Sequence, residues 1–274
     1  CATFAAISGS SIVTMLAVGT IMYPALIARG SPKLFSIGLI AASGTLGIII
    51  PPSIPMILYG IVTETSIANL FLAGFGPGGM LALMFAGYAL WINRRMETHP
   101  WSLEKIWLAF RKGIFALMLP VVLLGGIYSG YYSPTEAAAA GLAYALIIEV
   151  LVHREMTMRD YVVVSFDTVK LLGTLLLLLA IAHSVNTILD YKGVPEQMVE
   201  IVKHNVESPV MMIVAINILL LIVGCFMDIG AAIMILAPFL LPLAQAAGYD
   251  AIHFGIIMIV NLEIGYLTPP VGIN

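Results

Sequence analysis

A few polar residues stand inside long apolar stretches, and their types suit the binding of ions. Asp228 is the only Asp within the apolar spans, and Ser8 to Ser11 form a turn of hydroxyl groups. Ser43 and Thr45 flank Gly44 in one apolar stretch, and Asn261 and Glu263 precede Gly265 in another. Hydroxyl, amide and carboxylate oxygens, together with backbone carbonyls freed at an interrupted helix, are ligands for hard cations. These residues therefore indicate a cation site.

Predicted helix N-termini lie close to the same residues. We expect second helical halves to begin at Pro51 and Pro269, and hairpin arms to begin after Ser11 and Asp228. The partial positive charge of a helix N-terminus favours an anionic group. A carrier that couples a cation to an anion fits both features.

The composition places these residues in a membrane protein. Of 274 residues, 61% are hydrophobic and 10% are charged, and the mean hydropathy is +1.04. This excludes a water-soluble globular protein. The 12 Lys and Arg residues are scattered through a chain with a net charge of -3, so no nucleic-acid-binding patch is expected.

Charge-free stretches long enough to cross a bilayer predict an all-α, polytopic fold, because an α-helix satisfies its own backbone in lipid. If each apolar stretch crosses the membrane in turn, ten of the 12 basic residues fall on one side of it. The positive-inside bias predicts that this side is cytoplasmic. Lys192 and Lys203 face the other side. The ten are Arg29, Lys33, Arg94, Arg95, Lys105, Arg111, Lys112, Arg154, Arg159 and Lys170.

The two ends of the chain show the pattern of an internal repeat. Adding 218 to the residue number superposes six identical residues, five of which are Gly or Pro and so dictate backbone shape. The pairs are Pro24 and Pro242, Ala28 and Ala246, Gly30 and Gly248, Gly47 and Gly265, Pro51 and Pro269, and Pro52 and Pro270.

Each repeat is predicted to contain an apolar arm, a polar turn, a second arm and an interrupted helix. The turns are Ser8–Ser11 and Cys225–Asp228, and the interruptions are Ser43–Gly47 and Asn261–Gly265. The first repeat leaves its turn towards the cytoplasm and the second leaves it towards the outside, so the repeats are inverted. Inverted repeats with broken helices are the architecture of secondary transporters, whose site lies near the midplane.

Other interpretations of these features stay open. Asp228 could occupy a solvated turn between two full spans instead of a re-entrant tip, and each Gly/Pro break could be a packing kink. A channel would conduct ions instead of giving saturable uptake. An intramembrane protease lacks support because Asp228 has no second intramembrane Asp and the serines have no His at matching depth. We expect no enzymatic activity.

Several motifs together resemble the large membrane (M) subunit of tripartite ATP-independent periplasmic (TRAP) transporters. The resemblance covers the whole chain and rests on motifs spread along it. They are Ile7–Ser11, Gly44–Ser53, Tyr59-Gly60 followed by Thr63-Glu64, Ser133–Ala138, Phe226–Asp228 and Asn261–Gly272.

The resemblance implies a multi-pass permease of the bacterial inner membrane that imports organic anions of the C4-dicarboxylate or sialic acid type by an elevator motion. It implies sodium as the coupling ion with no other cofactor, and a periplasmic substrate-binding protein and a small membrane subunit as partners. An alternative is a cation-coupled anion carrier without a binding protein. The expected sodium-binding residues are Ser8, Gly9, Ser10, Ser11, Ser43, Gly44, Thr45, Gly47, Met227, Asp228, Asn261, Glu263, Gly265 and Thr268. The expected substrate-binding residues are Ser10, Thr45, Pro51, Asp228, Thr268 and Pro269.

The chain is expected to divide into three parts. Residues 1–92 form the first repeat and 208–274 form the second, which ends inside its broken helix. Residues 93–207 hold central helices, with interfacial segments at Pro100–Lys112 and Val194–His204, and serve mainly as a static scaffold against which the repeats move.

Overall fold

The computed structural model describes residues 1–94, 102–154, 156–194, 197–200 and 208–272. Those residues form helices and turns with no β-strand. In chain order we number the helices α1 Ala2–Ser8, α2 Ser11–Ala28, α3 Lys33–Gly44, α4 Leu46–Ile49, α5 Ile54–Val62, α6 Ile67–Ile92, α7 Leu103–Tyr128, α8 Pro134–Ile147, α9 Met158–Tyr191, α10 Pro209–Gly224, α11 Ile229–Ala246 and α12 Ala251–Tyr266. A π-helical turn, Ile148–His153, extends α8.

Six of the described helices are long and apolar enough to cross a membrane. A seventh span is possible if α3–α4 and α5, which meet at a 41° bend, are counted as one broken span. Helices α10 and α12 are apolar but shorter, at 16 residues each. The predicted all-α, polytopic membrane fold is confirmed.

The buried core joins the two ends of the chain. Met56, Tyr59 and Leu70 from the first part are fully buried together with Phe254 and Met258 from the last part. The Tyr59 hydroxyl donates a 2.8 Å hydrogen bond to the carbonyl of Ala251. By contrast, the most apolar windows of α7 and α9 contain no buried residue. Helices α7 and α9 therefore lie mostly at the periphery of this core, whereas α8 contributes the buried Ala137 to it.

The first interrupted helix breaks at two places. Thr45 separates α3, which ends at Gly44, from α4, which begins at Leu46, so the break predicted at Ser43–Gly47 is present. The main bend falls further along, at residues 50–53. Proline lacks an N–H donor and disfavours helical geometry in the residue before it, which explains a break at Pro51-Pro52. The second half begins at Ile54 with Ser53 as its N-cap, and the prediction that it begins at Pro51 is wrong.

The interruption predicted at Asn261–Gly265 is also wrong. Helix α12 runs without a break through these residues to Tyr266. Gly265 serves close packing, because a Cβ added there would lie 2.6 Å from the backbone of Gly224 in α10. The described residues after Tyr266 form turns, and no helix begins at Pro269 among them.

One predicted interfacial segment is continuous with a candidate span. Residues 103–112 are the first part of helix α7, which ends at Tyr128. Their position at the membrane interface stays a prediction. Most of the Val194–His204 segment lies outside the described residues, as do Arg95 and Lys203.

Helix boundaries in the two repeats coincide at the spacing of 218. Helix α2 matches α11 at both ends, and the starts of α3 and α12, Lys33 and Ala251, also match. Gly30 and Gly248 both have a left-handed backbone, with φ of 80° and 89°. These coincidences support the internal repeat, whose inverted orientation stays a prediction.

Candidate functional site

The turn Ser8–Ser11, which we call the first tip, joins α1 to α2 and rests on the bend between α4 and α5. Gly9 has φ of 62°, a conformation that glycine adopts without the steric cost of a side chain. A Cβ at Gly9 would lie 2.9 Å from the carbonyl oxygen of Pro52. The Ile54 N–H donates to the Gly9 carbonyl at 3.3 Å. Glycine is therefore needed at this position for the tip to dock.

Hydroxyl groups surround the carbonyl oxygen of Ser10 in the first tip. It accepts from Thr14 Oγ1 at 2.8 Å and from Ser8 Oγ at 3.2 Å, and the two hydroxyl oxygens lie 2.6 Å apart. A Cβ at Gly47 would lie 2.4 Å from the same carbonyl oxygen. The first tip is thus a neutral, oxygen-rich turn packed closely against α4.

The turn Cys225–Asp228, which we call the second tip, carries a carboxylate. Asp228 is the N-cap of α11, and its Oδ2 accepts from the Ala231 N–H at 3.2 Å. Its Oδ1 accepts from the hydroxyl of Tyr266, at the end of α12, at 2.6 Å. The residue remains solvent-exposed although Tyr266 is buried. The carboxylate is therefore held in place while its surface stays open.

Both tips line one cavity of about 180 Å³. The first residue or the N-cap of α2, α5 and α11 contributes to its wall, so three helix N-termini meet there. Partial positive charge at these ends favours an anion, and the Asp228 carboxylate favours a cation. The lining residues are Gly9, Ser10, Ser11, Ile12, Ile48, Ile54, Pro55, Leu58, Leu171, Leu175, Asp228, Ile229, Gly230 and Tyr266.

The chemistry of this wall suits a hard monovalent cation. Within the described residues, no group of three or more His, Cys, Asp and Glu side chains could hold a metal ion. A cation at this cavity would have one carboxylate, from Asp228, with hydroxyl and carbonyl oxygens beside it. Leu171 and Leu175 of α9 supply an apolar side to the same cavity.

Several predicted site residues do not line this cavity. Thr45 Oγ1 donates to the Ala42 carbonyl at 2.5 Å, and Ser43 Oγ donates to Cys1 Sγ at 2.9 Å. Asn261 Nδ2 bonds to Asn217 of α10, and Glu263 is 2% exposed. The structure brings together Gly9, Ser10, Ser11 and Asp228 from the predicted set.

The remaining predicted residues fall outside the cavity wall. The Thr268 hydroxyl donates to the Ile264 carbonyl at 2.7 Å, and Thr268 and Pro269 are exposed. Ser8 belongs to the first tip but does not line the cavity. Gly47 packs against the Ser10 carbonyl and Gly44 against Met15 of α2, and Met227 precedes Asp228 in the second tip. Neither Pro51 nor Pro269 begins a described helix. The helix N-terminus that we predicted at Pro51 lies at Ile54 instead.

A second, larger cavity of about 340 Å³ lies on the other side of the first tip. Gly9 and Ile54 line both cavities, so the contact between them forms part of the wall that separates the two. Its other walls are mostly apolar side chains of α7 and α8, including Leu119 and Leu123. Among its described lining residues it has no carboxylate, unlike the cavity where the two tips meet.

Sequence reasoning missed three residues that support the site. They are Thr14, Ser53 and Tyr266. For Tyr266 a signal was available, because the spacing of 218 pairs it with Ile48 and pairs Asp228 with Ser10. All four of these paired residues line the cavity.

Comparison with known proteins places the chain in a family. Residues 1–274 match the family described as "Tripartite ATP-independent periplasmic transporter, DctM component". The chain is 42% identical to the C4-dicarboxylate TRAP transporter large permease protein of Pseudomonas aeruginosa over 277 residues, which cover 100% of the chain and 65% of that protein. It is 39% identical to the protein of the same name from Rhodobacter capsulatus, covering 100% of the chain and 66% of that protein.

A further relative is the isethionate TRAP transporter permease protein DctMQ of Oleidesulfovibrio alaskensis, which is 39% identical and is covered over 44% of its length by the full chain. The chain thus spans less than two thirds of the length of these relatives. The family and the six apolar helices indicate a multi-pass protein of the bacterial inner membrane, a permease component and not an enzyme. The predicted resemblance is confirmed: the chain belongs to the DctM component family of tripartite ATP-independent periplasmic transporters.

Proposed function

We propose that this chain forms the substrate-translocating part of a sodium-coupled importer of organic anions, with its site in the cavity between the two tips. The observation that carries the proposal is the meeting of the exposed Asp228 carboxylate, the Ser10 turn and three helix N-termini at one cavity. A carboxylate attracts a cation, and the helix ends attract an anion. Binding of either therefore favours binding of the other, which is the requirement for coupling.

The substrate is proposed to be an organic anion of the C4-dicarboxylate or sialic acid type. Two of the relatives named above are C4-dicarboxylate permeases and the third is an isethionate permease. Carboxylates and sulfonates are small anions whose oxygen atoms suit backbone N–H donors at helix ends. A cavity of about 180 Å³ accommodates part of such a molecule between the tips.

The partners are proposed to be a periplasmic substrate-binding protein and a small membrane subunit. The family name is that of a tripartite periplasmic transporter, and the name DctMQ of one relative joins two component letters. The weakly buried helices α7 and α9 offer apolar surface for lipid and for a membrane partner.

The experiment is uptake into vesicles that contain the full-length permease, its small subunit and a candidate binding protein. We expect an inward sodium gradient to drive saturable uptake of C4-dicarboxylate or sialic acid, and potassium to fail in its place. Equal uptake with potassium would overturn sodium coupling. Uptake without any binding protein would support the simpler anion carrier, and single-channel conductance would support a channel.

We also propose that residues 1–92 and 208–274 move as one unit against residues 93–207. The shared core between α5 and α12 supports this division. With Cys1 and Cys225 replaced, a disulfide between Tyr59→Cys and Gly255→Cys, which join these helices, should leave uptake running. A disulfide between Ala182→Cys of α9 and Ile235→Cys of α11, which line one small cavity, should stop uptake until it is reduced. The reverse pattern would show that the division is wrong.

A further inference from the structure

Tyr266 occupies a position that connects the second tip to the end of α12. Its side chain is 2% exposed, and its hydroxyl lies 2.6 Å from Asp228 Oδ1 and 3.1 Å from the backbone nitrogen of Ile229. A backbone N–H can only donate, so the tyrosine oxygen accepts the hydrogen of Ile229. The phenolic hydrogen is then directed to the carboxylate of Asp228.

The two Asp228 oxygens consequently have different partners. Oδ2 accepts from the Ala231 N–H, a bond within the first turn of α11. Oδ1 accepts from Tyr266, which lies 38 residues further along the chain. The first contact fixes the carboxylate within its own helix, and the second fixes it relative to α12. Both contacts leave Asp228 exposed at the cavity.

The positions of the first tip that correspond to Asp228 and Tyr266 make no equivalent contact. The residue that pairs with Tyr266 at the spacing of 218 is Ile48, and the residue that pairs with Asp228 is Ser10. Ile48 has no hydrogen-bonding side chain, and the Ser10 carbonyl accepts from Ser8 and Thr14 instead. The tyrosine thus accompanies the charged tip and not the neutral one.

We infer that Tyr266 is a positioning residue for coupled binding, holding the Asp228 carboxylate in the orientation that receives the coupling cation. This inference rests on the proposed function of the cavity. A carboxylate that is already oriented loses less conformational freedom when a cation binds than one that is free to rotate. Tyr266 therefore acts on cation affinity through Asp228 and does not itself carry the substrate.

The test is sodium-dependent uptake by the full-length permease with Tyr266→Phe, which removes the hydroxyl and keeps the ring. We expect the half-saturating sodium concentration to rise about tenfold, the scale for losing one hydrogen bond to a charged group. The maximum rate at saturating sodium should stay close to that of the wild type. A role in folding alone would lower the uptake rate by the same factor at every sodium concentration and would leave the half-saturating concentration unchanged.

Tyr59→Phe is the matched control. Tyr59 is a fully buried tyrosine whose hydroxyl donates to the Ala251 carbonyl, and it does not line the cavity. The Tyr59→Phe variant loses a buried hydrogen bond of similar length, and Asp228 keeps all of its contacts. We expect its half-saturating sodium concentration to match that of the wild type.

A second variant keeps the test decisive if Tyr266→Phe does not assemble. 3,5-Difluorotyrosine at position 266, introduced by nonsense suppression, retains the ring and the hydroxyl but makes the hydroxyl a stronger donor. We expect a lower half-saturating sodium concentration with an unchanged maximum rate.

The outcomes separate the inference from the function on which it rests. Wild-type uptake that does not depend on sodium would contradict the proposed function. Wild-type uptake that requires sodium, with no shift in the phenylalanine variant or in the difluorotyrosine variant, would overturn the role of Tyr266 alone. An equal shift in the Tyr59→Phe control would overturn it as well.

Discussion

The two tips occupy corresponding positions in the chain but use different chemistry at the same cavity. The first tip collects neutral oxygens around the Ser10 carbonyl, and Ser10 makes no side-chain cap on α2. The second tip carries Asp228, which caps α11 with its side chain and is held by Tyr266. A repeated fold can therefore divide one task, with one repeat supplying dipolar oxygens and the other supplying the charge.

The packing around the two tips differs as well. Gly47 approaches the Ser10 carbonyl directly, and the hydroxyl of Thr14 completes the turn. At the corresponding positions of the second repeat, Gly265 approaches Gly224, and Ala232 has no hydroxyl. The first tip is thus stabilised by contacts within its repeat. The second tip packs against Gly265 of α12 through the backbone of Cys225, and the Tyr266 hydroxyl joins its carboxylate to the same helix.

The largest effect is expected for Asp228→Asn, which removes the charge that distinguishes the second tip. Asparagine is a good N-cap and can still accept a hydrogen bond, so assembly should be retained. Sodium-dependent uptake should fall to background because no other carboxylate lines the cavity among the described residues.

The matched control for this change is Asp250→Asn. Asp250 is also an N-cap, of α12, and accepts from the Ile252 N–H at 2.8 Å, but it does not line the cavity. Its uptake should match that of the wild type. If the Asp228→Asn protein transports normally while correctly assembled, the second tip is not the charged half of the site.

A large effect is also expected for Gly47→Ala, which tests the packing of the first tip. The added methyl group would meet the Ser10 carbonyl oxygen and Thr14 Oγ1, at 2.4 and 2.6 Å, so the tip must shift. Overpacking of this kind costs about 1–3 kcal/mol. We expect a lower melting temperature and strongly reduced uptake.

Gly38→Ala is the control for this packing effect. Gly38 lies in the preceding helix, and nothing lies within 4 Å of the place its Cβ would take. That variant should be as stable as the wild type or slightly more so. Equal behaviour of the two variants would contradict the close approach at Gly47.

These packing details mark the limit of what the sequence predicted. The polytopic helical fold followed from the apolar stretches, and the two tips followed from polar turns at a fixed spacing. The break predicted at Asn261–Gly265 is absent because glycine disrupts a helix only where its neighbours permit. Gly265 instead allows α12 to approach α10. The start predicted at Pro51 lies too early because the two prolines form the bend, and the next helix begins at Ile54. Tyr266 was missed because an aromatic residue is ordinary in an apolar stretch, and only the spacing of 218 from Ile48 connects it with the tips.

A moderate effect is expected for Ser10→Ala, which removes a hydroxyl at the cavity wall. The half-saturating sodium concentration should rise about two- to tenfold, the range for one hydrogen bond. Thr45→Val should have a smaller effect, because the Thr45 hydroxyl donates to Ala42 within its own helical segment and does not line the cavity. A larger shift for Thr45→Val than for Ser10→Ala would move the cation site to the interrupted helix.

A double-mutant cycle on the sodium dependence of uptake tests most directly the claim that the two tips form one site. The cycle combines Ser10→Ala on the first tip with Tyr266→Phe behind the second, and a parallel cycle combines Ser10→Ala with Tyr59→Phe. If both tips hold one cation, the first pair should deviate from the product of its single effects by more than about twofold, as residues of one network do. The second pair should be multiplicative. Multiplicative behaviour of both pairs would show that the tips act independently and would contradict a shared site.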